Sequence, residues 1–344
     1  MSMLYPIGIQ NFEEIRKGGY AYVDKTELIY KLVKSGKYYF LSRPRRFGKS
    51  LLISTLESYF CGRKDLFEGL AMEKLEKDWA EYPVFHLDLN TRKYEDKYSL
   101  EGILNQYLEK WEQKYGDEKK NRAPEERFTY VIERAAEKTG RNVVVLIDEY
   151  DKPMLQAIGN DALMTEYRNT LKAFYGVLKS CDRYLRFALL TGVTKFSKVS
   201  VFSDLNNLDD ISLLQDYNNL CGITECELHD GFRDGILALA EKNGISYDEA
   251  CLRLKEWYDG YHFASEGDDI YNPFSILNAM KSREFGSYWF ETGTPTFLVE
   301  LLKTARYNLN QLTVEVASSD SLGGIDSMYT NPVPILCLLY TSDA

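Results

Sequence analysis

The chain has 344 residues, of which 44% are hydrophobic and 14% aromatic, enough for one large or two ordinary packed domains. A net charge of −10 and a pI near 5.1 exclude a globally basic surface for nucleic acid, although local basic patches stay open. No apolar run reaches the roughly 18 residues that a membrane span needs, and the first residues lack the pattern of a secretion signal. The six cysteines are scattered without disulfide-framework spacing. These features predict a globular cytoplasmic protein with no membrane association.

A helix is predicted near the start of the chain. Apolar residues follow helical spacing over 27–33, with Asp24 or Thr26 as the candidate cap, and Gly36 ends the segment. This helix either packs against the domain or covers a ligand bound by the next segment. The sequence leaves both interpretations open.

The next segment predicts a strand, a tight loop and the start of a helix over 38–52. The loop ends in Gly48-Lys49-Ser50, a layout typical of a phosphate-binding loop. In such a loop, a helix N-terminus presents free N–H groups and a positive dipole end to a polyphosphate. Lys49 is expected to reach the β- and γ-phosphates, and the Ser50 hydroxyl to ligate Mg²⁺. The usual pattern has glycine where this sequence has Arg43, so the motif is incomplete.

We expect the nucleotide contacts to come from consecutive residues of this loop and the first helical turn. They are Arg45, Arg46, Phe47, Gly48, Lys49, Ser50 and Leu51.

Strands and helices then alternate as far as about residue 194. Five consecutive apolar residues at 143–147 predict a central strand that is buried on both faces. Such alternation predicts an α/β fold: a three-layer αβα domain with a mainly parallel sheet and right-handed crossovers. The other predicted strands are 84–89 and 185–191, and the predicted helices are 51–60, 100–111, 125–138 and 161–180.

Two adjacent carboxylates, Asp148 and Glu149, follow the central strand. This is where ligands bind in open α/β sheets, and a buried strand that runs into two charges needs a cation or water there. We expect Asp148 to hold Mg²⁺ with Ser50, and Glu149 to orient or deprotonate an attacking water. Thr191 or Thr194, at the end of the next strand, is the candidate sensor of the γ-phosphate.

Phosphoryl transfer also needs a positive side chain that neutralises charge in the transition state. The sequence does not choose among the candidates, which are Arg45, Arg46, Arg186, Lys195 and Lys198. The predicted catalytic set contains one of them, and consists of Lys49, Glu149, Thr191 and Arg186.

From about residue 216 the alternation stops and a mainly helical second domain is predicted. Helices are expected over about 230–243, from a capping box at 246–249 to residue 258, and near 273–283 and 295–305. The predicted division is an α/β domain over 1–215, a helical lid or winged-helix-like domain over 216–325, and the start of a further region over 326–344. A zinc site at Cys221, Cys226, His229 and Cys251 is not expected, because the cysteine spacing is unlike that of zinc sites.

The ordered motifs resemble those of the bacterial AAA-ATPase-like family. The matching blocks are residues 5–8, 22–26, 43–50, 146–151, 191–197, 257–261 and 271–275. In that family Arg-Pro-Arg-Arg-Phe-Gly-Lys-Ser is the usual form of the loop, so the missing glycine agrees with the resemblance. The resemblance implies a P-loop ATPase of the additional-strand type that uses ATP and Mg²⁺ to drive a conformational change.

The resemblance leaves alternatives open. Pro44 removes one N–H donor from the loop, so a nucleotide-binding switch or scaffold with little hydrolysis is the first alternative. Family members often carry a C-terminal PD-(D/E)XK nuclease-like domain, which suggests an ATPase module of a DNA-processing system. No such nuclease motif follows here, and we expect a truncated chain with an apolar tail at 335–340. A homo-oligomer or a protein partner also stays open, and nucleic acid only by family association.

Overall fold

The structure, a computed structural model, describes residues 3–194, 207–264 and 267–288. Its centre is a five-stranded sheet in the spatial order β2-β3-β4-β1-β5, with every neighbouring pair parallel. In this order β4 lies between the strand that precedes the phosphate loop and the strand that ends at Asp148. The strand β4 is therefore the additional strand that the resemblance implies. The strands are β1 (Tyr38–Ser42), β2 (Val84–Asp88), β3 (Val143–Asp148), β4 (Leu185–Gly192) and β5 (Asp209–Asp210).

Helices cover both faces of this sheet, which confirms the predicted three-layer arrangement. One face packs against the fifth, sixth and eighth helices, and the other against the second and third helices. Every residue of β3 is buried, because its β-branched run lies between the two layers. The helices are α1 (Phe12–Gly18), α2 (Thr26–Ser35), α3 (Lys49–Phe60), α4 (Ala71–Leu75), α5 (Lys97–Tyr115), α6 (Pro124–Thr139), α7 (Lys152–Gln156) and α8 (Asp161–Ser180).

A second group of helices follows the sheet and has a hydrophobic core of its own. A short antiparallel pair of strands, which the sequence analysis does not predict, brackets two of the helices. The elements are β6 (Ile223–Thr224), α9 (Glu225–Asn243), α10 (Tyr247–Tyr258), β7 (Ile270–Tyr271) and α11 (Pro273–Ser282). The predicted helix at 295–305 and the apolar tail lie outside the described residues.

The helix caps explain where these helices begin. Thr224 and Glu227 form a reciprocal capping box, so α9 starts about five residues before the predicted position. The side chains of Ser246 and Asn272 cap α10 and α11, as their sequence patterns predict. In the part of the chain that the structure describes, no helix is both long and apolar enough to cross a membrane.

Candidate phosphate-binding site

The carboxyl ends of four parallel strands meet at one edge of the sheet. The loop leaves β1 there, Thr191 lies near the end of β4, and Asp88 and Asp148 are register partners at the ends of β2 and β3. Because parallel strands point the same way, residues from distant segments converge at this edge.

An open pocket of about 300 Å³ lies at this edge. It brings together most of the residues that the sequence predicts for the nucleotide site. Those lining it are Arg45, Arg46, Gly48, Lys49, Ser50, Leu51 and Glu149. The pocket also contains residues that the sequence analysis missed: the segment 6–10, Asn90 after β2, Lys152 at the start of α7, and Pro273, Phe274 and Leu277 of α11.

Lys49 lies inside the curve of the loop and is only 4% exposed. Its Nζ donates to the carbonyl oxygens of Arg43 and Pro44, at 3.0 and 3.1 Å, and lies 3.6 Å from Glu149 Oε1. Two carbonyl dipoles and one carboxylate thus compensate the buried charge.

Gly48 joins the loop to α3 and has a left-handed backbone with φ of 95°. A Cβ built at this position would meet no atom within 4 Å, so the requirement for glycine is conformational and not steric. This turn directs the first N–H groups of α3, which have no partners within the helix, toward the pocket side of the loop.

Arg43, which replaces the usual glycine, is fully buried and points away from the pocket. Its Nη1 donates to Ser212 O at 2.6 Å and its Nη2 to Tyr217 O and Asn218 O at 3.1 and 3.3 Å. The guanidinium also lies 4.0 Å from the centre of the Phe263 ring. Burial lowers the pKa of Arg43 to about 10, so it stays charged at neutral pH. Arg43 therefore fastens the loop to the segment 212–218.

Phe47 makes a second attachment of the same kind. Its buried ring packs edge-on against Tyr261 and Phe263, with centroids 4.5 and 5.6 Å apart, and its carbonyl accepts from the Gly222 N–H at 3.1 Å. The Phe47 side chain is thus part of the core and does not line the 300 Å³ pocket, although it lines a smaller apolar cavity beside it. Arg46 reaches the second helical group from the exposed side, because its guanidinium lies 4.9 Å from the Phe274 ring centre.

Asp148 is held in place by its neighbours. Its Oδ1 accepts from the Thr191 hydroxyl at 2.6 Å and from the Glu149 N–H at 3.0 Å. Glu149 itself has a left-handed backbone with φ of 52°. A hydroxyl at Ser50 and a carboxylate at Asp148 are oxygen ligands of the kind that Mg²⁺ takes, and Mg²⁺ binds with few protein ligands. Ser50 lines the pocket, whereas Asp148 is 4% exposed and does not line it, so the pair would hold the ion only if the Asp148 carboxylate reached it from behind that lining. Among the described residues no cluster of three His, Cys, Asp or Glu offers an alternative metal site.

Two further carboxylates at the edge were missed by the sequence analysis. Asp151 is fully buried, and its Oδ2 accepts from Val193 N, Thr194 N and the Thr194 hydroxyl at 2.7–2.9 Å. Burial and the nearby Glu149 raise the pKa of Asp151 to about 6. Burial, with Asp148 close by, also raises the pKa of Asp88. The signal for Asp88 was present in the sequence, since it ends an apolar strand as Asp148 does.

The structure does not place Arg186 in the pocket of its own chain, so its predicted catalytic role stays a prediction that would need a second copy of the chain. Arg186 lies at the start of β4, where its Nη2 donates to Val33 O at 3.3 Å. Five residues of extended strand separate it from Thr191, which is about 16 Å. Lys195 and Lys198 lie outside the described residues.

A smaller apolar cavity of about 100 Å³ adjoins the pocket. Both are lined by Pro6, Gly48, Leu51, Pro273 and Leu277. Tyr22 and Val23, which precede α2, also line the cavity, as do Phe47 and Phe232. The segment before α2 thus covers a space beside the loop, and α2 itself packs against the sheet through Ile29, Leu32 and Val33.

The three-layer arrangement of sheet and helices, together with the loop, defines a P-loop-like α/β protein. The sequence profile of the family described as "Predicted AAA-ATPase" matches residues 6–202, which is more than half of the chain, so the chain belongs to this family. It is also similar to a protein of Azotobacter chroococcum mcd 1 described as "Uncharacterized protein in vnfD 5'region", with 44% identity over 322 residues. That match covers 92% of this chain but 59% of the relative, so the chain spans little more than half of the relative's length. No solved structure matches the chain.

Proposed function

We propose that the chain binds ATP with Mg²⁺ and hydrolyses it, with the triphosphate in the pocket at the sheet edge. The observation that carries this proposal is the meeting of Lys49, Ser50 and Glu149 in one pocket, although they come from separate segments of the chain. Family membership supports an ATPase-like role independently of this geometry.

The base of the nucleotide is assigned to the apolar cavity beside Gly48. The cavity adjoins the pocket and shares five lining residues with it, which supports one ligand occupying both. Ligand pockets combine an apolar wall with a few polar groups that fix orientation, and the two spaces supply these separately.

For hydrolysis, the first turn of α3 and Lys49 hold the phosphates, and Glu149 orients the attacking water and takes its proton. Mg²⁺ bound by Ser50 and Asp148 would supply positive charge to the phosphate oxygens. The hydrogen bond from Thr191 fixes the Asp148 carboxylate. Glu149 must leave Lys49, 3.6 Å away, before it can act on water.

The loop offers a route for conformational change. Arg43 and Phe47 attach it to the segment 212–222 and to the rings of Tyr261 and Phe263. A shift of the loop on nucleotide binding would therefore move contacts with the second helical group.

A second candidate function is a nucleotide-dependent switch with little hydrolysis. The Lys49–Glu149 contact favours it, because the two groups that hydrolysis needs are already paired with each other. Pro44 also lacks an N–H that could bind phosphate.

Steady-state hydrolysis by wild type, Lys49→Ala and Glu149→Gln separates these functions. We expect Glu149→Gln to keep ATP binding and to reduce turnover by about 10²- to 10⁴-fold, the usual contribution of a general base. We expect Lys49→Ala to lose binding as well, because charge-assisted contacts to the phosphates disappear. If ATP binds tightly but Glu149→Gln does not change the rate of hydrolysis, the result would support the nucleotide-dependent switch and reject the enzyme hypothesis.

The cellular process that ATP hydrolysis would drive is open to proposals only, because the match covers 59% of the relative's length. We propose that the conformational change is transmitted to a second copy of the chain in a homo-oligomer or to a protein partner. Sedimentation velocity with and without an ATP analogue tests for the oligomer. An association with DNA rests on family architecture alone, and a salt-dependent DNA-binding assay tests it.

A further inference from the structure

The pocket wall carries more positive than negative charge. Its charged lining residues, among those the structure describes, are Arg45, Arg46, Lys49 and Lys152 against the single carboxylate of Glu149. A space lined in this way favours an anion with several charges.

Arg45 interacts with other groups of the protein, and the contacts of two further cations are defined. Lys49 Nζ donates to the carbonyl oxygens of Arg43 and Pro44, and Arg46 lies against the Phe274 ring. Their partners hold them at the loop end and at the α11 side of the pocket.

Lys152 differs from both. It begins α7, its N–H donates to Glu149 O at 3.0 Å, and its side chain lines the pocket beside Asn90 and Glu149. Within the described ranges the Lys152 ammonium group takes part in no ion pair. Burial and the nearby Arg45 lower the pKa of Lys152, and their effect outweighs the opposite effect of the carboxylates of Glu149, Asp151 and Asp88.

A half-buried ammonium that lies near another cation and takes part in no ion pair is stabilised by direct contact with an anion. The position of Lys152 indicates which anion. Lys152 lines the same pocket as Glu149, and its N–H donates to the Glu149 carbonyl oxygen. Because Glu149 is the residue assigned to the attacking water, the phosphate nearest to Lys152 would be the terminal one, which that water attacks.

We propose that Lys152 Nζ contacts the γ-phosphate and is a catalytic residue that neutralises its charge from within the same copy of the chain. The inference rests on the proposed binding of ATP. It assigns to Lys152 the role for which the sequence offered only Arg45, Arg46, Arg186, Lys195 and Lys198.

In the step that Lys152 assists, the water oxygen forms a bond to the γ-phosphorus while the bond from that phosphorus to the β–γ bridging oxygen breaks. The bridging oxygen keeps the electron pair and leaves as ADP, Glu149 takes the proton of the water, and inorganic phosphate is released. Lys152 donates to the γ-phosphate oxygens throughout and is neither consumed nor deprotonated.

Binding of ADP and of a non-hydrolysable ATP analogue, each with Mg²⁺, tests the contact without turnover. The variants are Lys152→Met, which keeps most of the alkyl packing, and Lys152→Arg, which keeps the charge. Lys93→Met is the matched control, because its side chain is 85% exposed and lies outside the pocket. Thermal unfolding of each variant verifies the fold.

We expect Lys152→Met to lower the affinity for the ATP analogue by about 10- to 100-fold, which corresponds to the loss of one charge-assisted contact. The affinity for ADP should be unchanged. Lys152→Arg should recover most of this affinity and Lys93→Met should match wild type. Equal weakening of both nucleotides, or of neither, would overturn the role of Lys152. If wild type binds neither nucleotide, the proposed function itself fails, which is a separate result.

The second test concerns the origin of the charge. With Lys152 acting in the same copy, turnover per chain should be constant over a wide range of protein concentration. Turnover that rises with concentration and is unaffected by Lys152→Met would mean that a second copy supplies the cation instead.

Discussion

Two groups of charged residues near the loop differ in their burial. The pocket-facing group, Lys49, Glu149 and Lys152, lines the space at the sheet edge, and the supporting group, Arg43 and Asp151, is fully buried and does not line it. The supporting residues are bonded to backbone groups: Arg43 to carbonyl oxygens, and Asp151 to the N–H groups of Val193 and Thr194. Of the pocket-facing group, Lys49 also donates to two backbone carbonyl oxygens, but it lies 3.6 Å from the Glu149 carboxylate as well, and Lys152 takes part in no ion pair within the described residues.

This difference separates charge that maintains the fold from charge that acts on a ligand. A supporting residue that is removed leaves several buried backbone groups without partners, so its loss should appear in stability. Removal of a pocket-facing residue should instead change nucleotide affinity or the rate of turnover. The predictions below test this division.

The largest expected effect is that of Arg43→Ala. Loss of the guanidinium removes a donor from the carbonyl oxygens of Ser212, Tyr217 and Asn218, of which Tyr217 O keeps the Leu220 N–H as a second donor, and opens a cavity beside Phe263. We expect the free energy of unfolding to fall by about 3–5 kcal/mol, measured by urea denaturation. A loss of nucleotide affinity at unchanged stability would place Arg43 in the pocket-facing group.

The second effect is a pH dependence of stability due to Asp151. Its pKa is raised to about 6, above the ordinary value of 3.8, so the native state holds the proton more tightly than the unfolded state does. The stabilisation is complete below pH 3.8 and is lost as the pH rises toward 6.

Asp151→Asn cannot titrate and should lack this loss. Between pH 4 and pH 7, wild type should therefore lose about 2–3 kcal/mol of unfolding free energy relative to the variant. Denaturation of both proteins across that range is the measurement, and a wild type that gains stability relative to the variant would show that the charged form is the favoured one.

A smaller effect is expected for Thr191→Val, which keeps the shape of the side chain but removes its donor to Asp148. The Asp148 carboxylate would be less well oriented, so we expect turnover with Mg²⁺ as cofactor to fall by about tenfold. A tenfold change corresponds to the free energy of about one hydrogen bond. Titration of Mg²⁺ against turnover distinguishes this from a folding defect. Thr191→Ser, which retains the hydroxyl, is the matched control and should stay near wild type.

The smallest effect is expected for Arg46→Ala, the counterpart of Arg43→Ala. Arg46 is exposed and touches the second helical group through its contact with Phe274. An exposed cation–π contact contributes about 0.5–1 kcal/mol, so unfolding in urea should barely change. A loss as large as that of Arg43→Ala would remove the distinction between the two arginines.

Several parts of the structure follow from the sequence because they depend on neighbouring residues. The apolar run at 143–147 is buried on both faces, the Gly48 turn begins α3, and Asn272 caps α11. The capping box of Thr224 and Glu227 was equally local, so the early start of α9 could have been predicted. The position of Arg186 was also local information, since five strand residues before Thr191 place it toward the other end of the sheet.

What only the tertiary structure decided is which distant residues meet. The sequence by itself predicted four of the five strands of the sheet, the loop and the acidic pair, and so the edge of the sheet at which they gather. The order that places β4 between β1 and β3 is set by packing over the whole sheet, and no local pattern contains it. The same holds for Arg43, because a buried guanidinium is tolerated only where the carbonyl oxygens of 212–218 reach it. It holds also for Lys152, whose place in the pocket depends on how α7 leaves the edge of the sheet.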